Sequence, residues 1–135
     1  MTDRNWTLLN CLCYLYNAFA VYTDADLDEA EKNEIRNIVG EWVPDSSRNE
    51  IHGHLDTTLG WFHADLKSDI DNDTKVVIGT CINIAKLMKD EMDEDACRAI
   101  HTDLIRIGNA DGHYDETEKA WANALGEVLG VVQPA

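Results

Sequence analysis

Basic residues are scarce in this sequence of 135 residues: 11 Lys and Arg stand against 26 Asp and Glu, which gives a formal net charge of -15 at pH 7. A field of that sign repels phosphate backbones and anionic lipid surfaces, so the composition argues against nucleic-acid binding and against a role on a membrane surface. The same field attracts cations and basic protein surfaces, although it is equally compatible with a solubility feature or with adaptation to salt.

Cysteine pairs with metal-binding or redox spacing are also missing. The four cysteines, Cys11, Cys13, Cys81 and Cys97, form no Cys-x-x-Cys motif, and the first residues, MTDRNW, lack the charged and apolar regions of an export signal. We therefore expect reduced thiols and a cytoplasmic protein. Cys11 and Cys13 lie two residues apart, which on a helix points them to different sides, so buried small side chains are a better interpretation than a shared metal site.

Proline is nearly absent, with only Pro44 and Pro134, and no long run alternates polar and apolar residues. Instead, apolar residues recur at intervals of three and four, which predicts helices and no substantial sheet. The stretch from Trp6 to Tyr22 is almost wholly apolar but carries Asn10 and Asn17, so we interpret it as a central core helix rather than a membrane span. The sequence predicts an all-α, single-domain bundle of about six helices over residues 1–135.

An internal repeat is the most informative pattern. Asp24–Lys32, DADLDEAEK, aligns with Asp111–Lys119, DGHYDETEK, at a constant offset of 87 residues (111 − 24), and five of the nine positions are identical. Each segment joins one apolar-periodic helix to the next, which predicts an internal duplication of a helix, acidic turn, helix unit. Repeat 1 spans about residues 6–43, the connecting helices about 46–92 and repeat 2 about 94–130.

Each acidic turn contains Asp-x-x-Glu, the spacing of a helix capping box, in which each side chain binds the other residue's backbone N–H. The pairs are Asp28 with Glu31 and Asp115 with Glu118. Asp24 and Asp111 lie four residues before these caps. Two roles remain open for them, because an Asp at such a place either stabilises a turn or supplies an oxygen ligand to a hard cation such as Ca²⁺ or Mg²⁺.

A shared metal site follows if the two units pack about a pseudo-twofold axis, since their turns could then pool carboxylates around one divalent cation. The candidate metal ligands are Asp24, Glu31, Asp111 and Glu118. An EF-hand loop is excluded for the first copy, because its sixth position should be Gly and is Glu29, and its twelfth should be Glu and is Ile35.

Patterns typical of an enzyme are missing or weak. Cys97 and His101 share a helix face at i, i+4, as a thiol–imidazole pair would, but Cys97 also lies on an apolar stripe, which favours a buried thiol. His52, His54 and His63 share a predicted helix without the Glu-x-x-His pattern of di-iron bundles. No Gly-rich phosphate loop, nucleophile elbow or zinc-knuckle spacing occurs, so we expect a protein without enzymatic activity.

A helix followed by Ala-Asp-Gly, and then by an acid-x-x-Glu that opens another helix, resembles the TerB-like family. That family includes tellurite-resistance proteins and the amino-terminal domain of certain membrane DnaJ-like proteins. The second copy, NADGHYDETEKAWANALGEVLG, is the closer match, whereas the first has Ala25 where Gly is usual. The resemblance runs from about Trp6 to Gly130. It implies an all-α fold and a metal site formed by the paired acidic residues, and it implies no established catalytic activity.

Three functions fit these patterns. The first is a non-enzymatic TerB-like module that binds a divalent metal ion through its paired acidic turns, in stress response or as a scaffold. The second is a metal-free interaction domain that docks on a basic protein partner through its acidic surface. The third is a metal-dependent hydrolase that uses the same carboxylates and needs a substrate pocket beside them.

Overall fold

All regular secondary structure that the structure describes is helical. A computed structural model of the protein describes residues 6–24, 29–68, 75–110 and 116–132, and no strand occurs in these ranges. The helices are α1 (Leu8–Asp24), α2 (Glu29–Trp42), α3 (Arg48–Ser68), α4 (Lys75–Glu91), α5 (Glu94–Asn109) and α6 (Glu116–Leu129). The prediction of an all-α single domain with six helices is confirmed.

Helix α1 is the centre of the bundle. Every residue from Asn10 to Ala20 is buried, and α1 contacts each of the other five helices. An apolar helix in this position removes these residues from water, and such burial is the main favourable contribution to folding. The prediction of a central core helix is therefore confirmed. None of the helices in the described ranges combines the length and the apolar character needed to cross a membrane.

The outer helices each present one apolar stripe to this centre. On α5 the buried residues follow the predicted spacing of three and four: Cys97, Ile100, Leu104 and Ile107. Helix α5 packs on α6 and α2, and α4 packs on α6, so the core is continuous from one end of the chain to the other. The periodicity that predicts the helices also identifies the faces that they bury.

Several helix ends are fixed by local hydrogen bonds. At the start of α3, the Ser47 hydroxyl accepts from the Glu50 N–H at 3.1 Å and the Glu50 carboxylate accepts from the Ser47 N–H at 3.2 Å, which is a complete capping box. Asp93 caps α5 by accepting from a backbone N–H three residues on, at 2.8 Å. The capping residues predicted for α2 and α6, Asp28 and Asp115, lie outside the described residues.

Gly130 ends α6, as its position after the last apolar stripe predicts. Its φ of 81° lies in the left-handed region, which glycine enters without steric cost. The change of chain direction at Gly130 lets the N–H of Val131 donate to the carbonyl of Gly126 at 3.0 Å. This bond satisfies a carbonyl that the helix itself leaves without a partner.

Candidate functional site

The four predicted metal ligands lie at the connections between helices. Asp24 is the last residue of α1, and Glu31 and Glu118 belong to the first turns of α2 and α6. The side chains of these three residues, and Asp111 as a whole, lie outside the described residues. Among the described side chains, no group of three or more His, Cys, Asp or Glu is arranged to hold a metal ion, a finding that does not extend to these four. The metal site therefore stays a prediction.

A buried carboxylate, Asp103, forms the polar centre of the described structure. It lies on α5 with 6% of its surface exposed, and its Oδ2 accepts from the Tyr16 hydroxyl at 2.6 Å and from the Trp42 indole N–H at 2.8 Å. Tyr16 belongs to α1 and Trp42 is the last residue of α2. One carboxylate thus joins three helices, and its two donors supply the hydrogen bonds that a buried acidic group requires.

A salt-bridge network continues from Asp103 toward the surface. The Arg106 guanidinium lies 4.0 Å from Asp103 and donates to both carboxylate oxygens of Glu41, at 3.0 and 3.1 Å. It also donates to Glu34 at 3.4 Å, so α5 is tied to α2 at two further points. The hydrogen bond from Arg106 lowers the pKa of Glu41, and the same bond raises the pKa of Arg106.

Burial dominates the ionisation of the Asp103 centre. Loss of water raises the pKa of the Asp103 carboxyl, outweighing the hydrogen bonds from Tyr16 and Trp42 and the charge of Arg106, which act in the opposite direction. Burial and the neighbouring Asp103 both raise the pKa of Tyr16 far above its ordinary value. Tyr16 is therefore held as a neutral hydroxyl that donates to Asp103, which is a structural role for both groups.

A second buried Tyr–Asp pair joins α1 to α3. The Tyr14 hydroxyl donates to Asp65 Oδ2 at 2.6 Å, and the Tyr14 ring packs edge-on against Phe62 and Trp6. Burial raises the pKa of Tyr14, with Asp65 adding to the effect. The amide of Asn17 donates to the Leu55 carbonyl at 3.1 Å, so Tyr14 and Asn17 both hold α3 against α1.

These buried pairs were not predicted from the sequence, although one signal for them is visible. Asp103 occupies a core position of the α5 stripe, between Ile100 and Leu104, where an unpaired carboxylate would be costly. Such a residue implies a buried donor elsewhere in the chain. The sequence does not show which donor, because the partner of Asp103 in α1 is 87 residues away.

The cysteines behave as small apolar residues. All four are free and buried, and burial raises the pKa of every one of these thiols, to about 12 for Cys13 and Cys81. The Cys97 thiol donates to the Met88 carbonyl at 3.6 Å rather than to His101. The interpretation of Cys97 as a buried thiol is confirmed, and the raised pKa disfavours the thiolate that nucleophilic chemistry needs.

His101 is packed more tightly than a surface histidine. Its Nε2 is buried and has no hydrogen-bond partner among the described residues, and burial lowers the pKa of its ring. Gly126 on α6 faces it so closely that a Cβ there would lie 2.8 Å from His101 Cδ2. The ring is therefore held neutral against the α6 backbone.

Two of the grooves on the described surface lie beside α1. One, of about 280 Å³, lies among α1, α2 and α3 and is lined by both apolar and cationic side chains. The other, of about 300 Å³, lies between the start of α1 and α4, where Trp6 and Leu87 are exposed. Neither groove is lined by Asp103 or Asp65, so the buried carboxylates and the accessible grooves are separate features.

Fold and site together define an all-α protein of six helices whose described polar core is structural. Comparison with models of protein families, with curated proteins and with solved structures finds no match to this chain. The resemblance to the TerB-like family accordingly rests on the residues of the two acidic turns alone.

Proposed function

We propose that this chain is a non-enzymatic TerB-like module that binds a divalent cation through its two acidic turns, in stress response or as a scaffold. One observation carries the proposal: α2 and α6 end at the same position of the repeat. Their last residues, Trp42 and Leu129, differ by 129 − 42 = 87 residues. Each acidic turn therefore precedes a helix that ends in the same register, as an internal duplication requires.

A contact between equivalent positions supports the same proposal. Tyr16 and Asp103 are 87 residues apart, so they occupy matching places in the two repeats, and they are hydrogen bonded to each other. Residues close to a twofold axis meet their own equivalents across it. This contact favours the pseudo-symmetric packing that a shared metal site needs.

The chemistry of the turns fits a hard cation. Ca²⁺ and Mg²⁺ prefer oxygen ligands, and Asp24, Glu31, Asp111 and Glu118 would supply carboxylates from both repeats. A net charge of -15 raises the local concentration of cations around the chain. The absence of enzymatic activity is part of the proposal. It is supported by the buried thiols, whose pKa values are raised, and by Tyr14 and Tyr16, whose hydroxyls donate to buried carboxylates.

Calorimetric titration with Ca²⁺, Mg²⁺, Mn²⁺ and Zn²⁺ tests this function. We expect saturable heat with one or more of these ions, and loss of that heat in the double variant Asp24→Asn plus Asp111→Asn. The matched control is Asp90→Asn plus Glu91→Gln, which removes two exposed charges at the end of α4 and should leave binding unchanged. No heat at millimolar metal, or equal loss in both double variants, would refute the proposal.

A second candidate, docking on a basic protein partner, is favoured by a specific acidic surface. Five acidic residues surround the α4–α5 junction and all of them are exposed: Asp90, Glu91, Asp93, Glu94 and Asp95. Exposed charge of one sign steers partners of the opposite sign and does so less at high salt. A lysine-rich peptide should therefore bind in a salt-dependent way, and Asp90→Asn plus Glu91→Gln should weaken it, whereas the acidic-turn variant should not.

A further inference from the structure

The groove among α1, α2 and α3 has an apolar floor. Ile35 of α2 is 1% exposed and Leu55 of α3 is 8% exposed, and Leu59 extends the same surface along α3. A volume of about 280 Å³ is close to the lower limit of small-molecule sites, which suits a short aliphatic or aromatic group.

The rim of this groove is cationic, in contrast to the chain as a whole. Lys32 and Arg36 lie four residues apart on α2, so they share one helix face above the apolar floor. A smaller groove of about 170 Å³ shares Arg36 and adds Arg48. Three of the 11 basic residues thus surround one region of a molecule whose net charge is -15.

Among the described residues that line this groove, one is acidic. It is Asp56, which already faces His52 on the same helix at 3.1 Å. The Arg36 guanidinium uses one donor for the Asn33 side chain, at 3.2 Å, and a guanidinium carries five N–H donors. Arg36 can therefore present a fork to a carboxylate, which is the planar anion that arginine binds best.

The inner end of the groove is fixed before any ligand arrives. Asn17 of α1 is 2% exposed, lines the groove, and donates from its Nδ2 to the Leu55 carbonyl at 3.1 Å and to the Thr58 hydroxyl at 3.2 Å. These bonds hold α1 and α3 at a set separation. A preformed wall lowers the ordering cost that binding would otherwise incur.

We infer that this groove is a binding site for a small anionic amphiphile, a monocarboxylate with an aliphatic or aromatic tail. The tail packs on Ile35, Leu55 and Leu59, and the carboxylate pairs with the guanidinium of Arg36. The inference does not depend on the acidic turns, because the residues from which it is argued lie on the described parts of α1, α2 and α3.

Ligands that share one tail and differ in head group test the inference. Octanoate, 1-octanol and octyltrimethylammonium would be titrated into the full chain at about 0.15 M salt, where distant charges are screened. We expect octanoate to shift the backbone amide resonances of α2 and α3 around the groove, with an affinity about tenfold higher than that of the alcohol. The cation should not bind there.

Two variants with equal net charge test whether octanoate binds at Arg36. Arg36→Gln should weaken octanoate binding about tenfold, whereas Lys86→Gln, at an exposed position on α4, should change it less than about twofold. Equal affinities for the three head groups, equal effects of the two variants, or no octanoate binding would each overturn the inference. Clear preference for an acidic amphipathic peptide over octanoate would also overturn it, in favour of a protein partner.

Discussion

The α2 side of the bundle and the α6 side share one helical frame but differ in how tightly it is packed. Beside α2, a groove of about 280 Å³ separates cationic side chains from an apolar floor. On α6, a Cβ at Gly126 would lie only 2.5 Å from Val132 Cγ2, so there is no room for a side chain. The equivalent residue of the first repeat, 87 positions earlier, is the larger Val39. The two helices have the same register in the repeat, so the difference in packing comes from the side chains around them.

The largest expected effect tests whether the two sides contribute equally to the core. Ile38 on α2 and Leu125 on α6 occupy matching positions, and both are 0% exposed. Truncation of either to Ala should reduce the free energy of unfolding by about 3 kcal/mol, through lost burial and the cavity that remains. Denaturant unfolding measures both variants.

Leu87→Ala is the control for this pair, because Leu87 on α4 is 38% exposed. Its truncation should lower the free energy of unfolding by less than about 1 kcal/mol. A small effect at Ile38 together with a large one at Leu125 would show that the open side contributes less to stability, and the predicted equality would then be wrong.

Glycine substitutions sharpen the contrast in packing. Gly126→Ala should destabilise the protein by about 2 kcal/mol, because the added methyl meets Val132 and the His101 ring at less than a normal contact distance. Gly53→Ala on α3 has nothing within 4 Å of its new Cβ and should stabilise the helix by about 0.5–1 kcal/mol. Thermal or denaturant unfolding would show opposite signs, and changes of the same sign in both would contradict the packing described.

The Asp103 centre, where α1, α2 and α5 meet, predicts a pH dependence. Burial raises the pKa of this carboxyl above its usual 3.8, so the folded state holds the proton to higher pH than the unfolded state does. Stability from this group is present at low pH and is lost as pH rises through the raised pKa. Asn at this position cannot titrate, so Asp103→Asn should gain stability relative to wild type as pH rises from below the usual pKa of the carboxyl through its raised pKa.

Denaturant unfolding at several pH values measures that difference. Asp90→Asn removes the same charge at an exposed position and therefore reports the general effect of net charge. The cause assigned to the pKa of Asp103 would be wrong if both variants gained stability equally with rising pH. It would also be wrong if the stability of Asp103→Asn relative to wild type fell as pH rose.

Most of the fold was predictable because it depends on local rules. The three-four spacing of apolar residues identified the buried stripe of α5, and the apolar run from Trp6 identified α1 as the central helix. Gly130 marked the end of α6 because a left-handed residue suits a helix stop. Each of these inferences used residues within one or two turns of each other.

The remaining features depend on residues that are distant in the sequence. Lys32 and Arg36 could be placed on one face of α2, but the groove exists because α3 packs beside them, which periodicity does not show. The Tyr14–Asp65 pair likewise joins residues 51 positions apart. The four predicted metal ligands followed from the repeat, and their arrangement in space stays a prediction.

The smallest expected effect concerns the salt bridges on the surface between α5 and α2. Arg106 of α5 bridges to Glu41 and Glu34 of α2, but its side chain is 35% exposed and that of Glu41 is 60% exposed, so water and salt screen the pair. Arg106→Gln should therefore cost only about 0.5–1 kcal/mol of unfolding free energy at low salt, and less at about 1 M salt.

Arg98→Gln is the control with the same change in charge, because Arg98 pairs with Glu94 within α5 alone. A double-mutant cycle between Arg106 and Glu41 isolates the bridge, and a clear cost of Arg106→Gln together with a coupling energy near zero would mean that Arg106 acts instead through the buried Asp103 beside it.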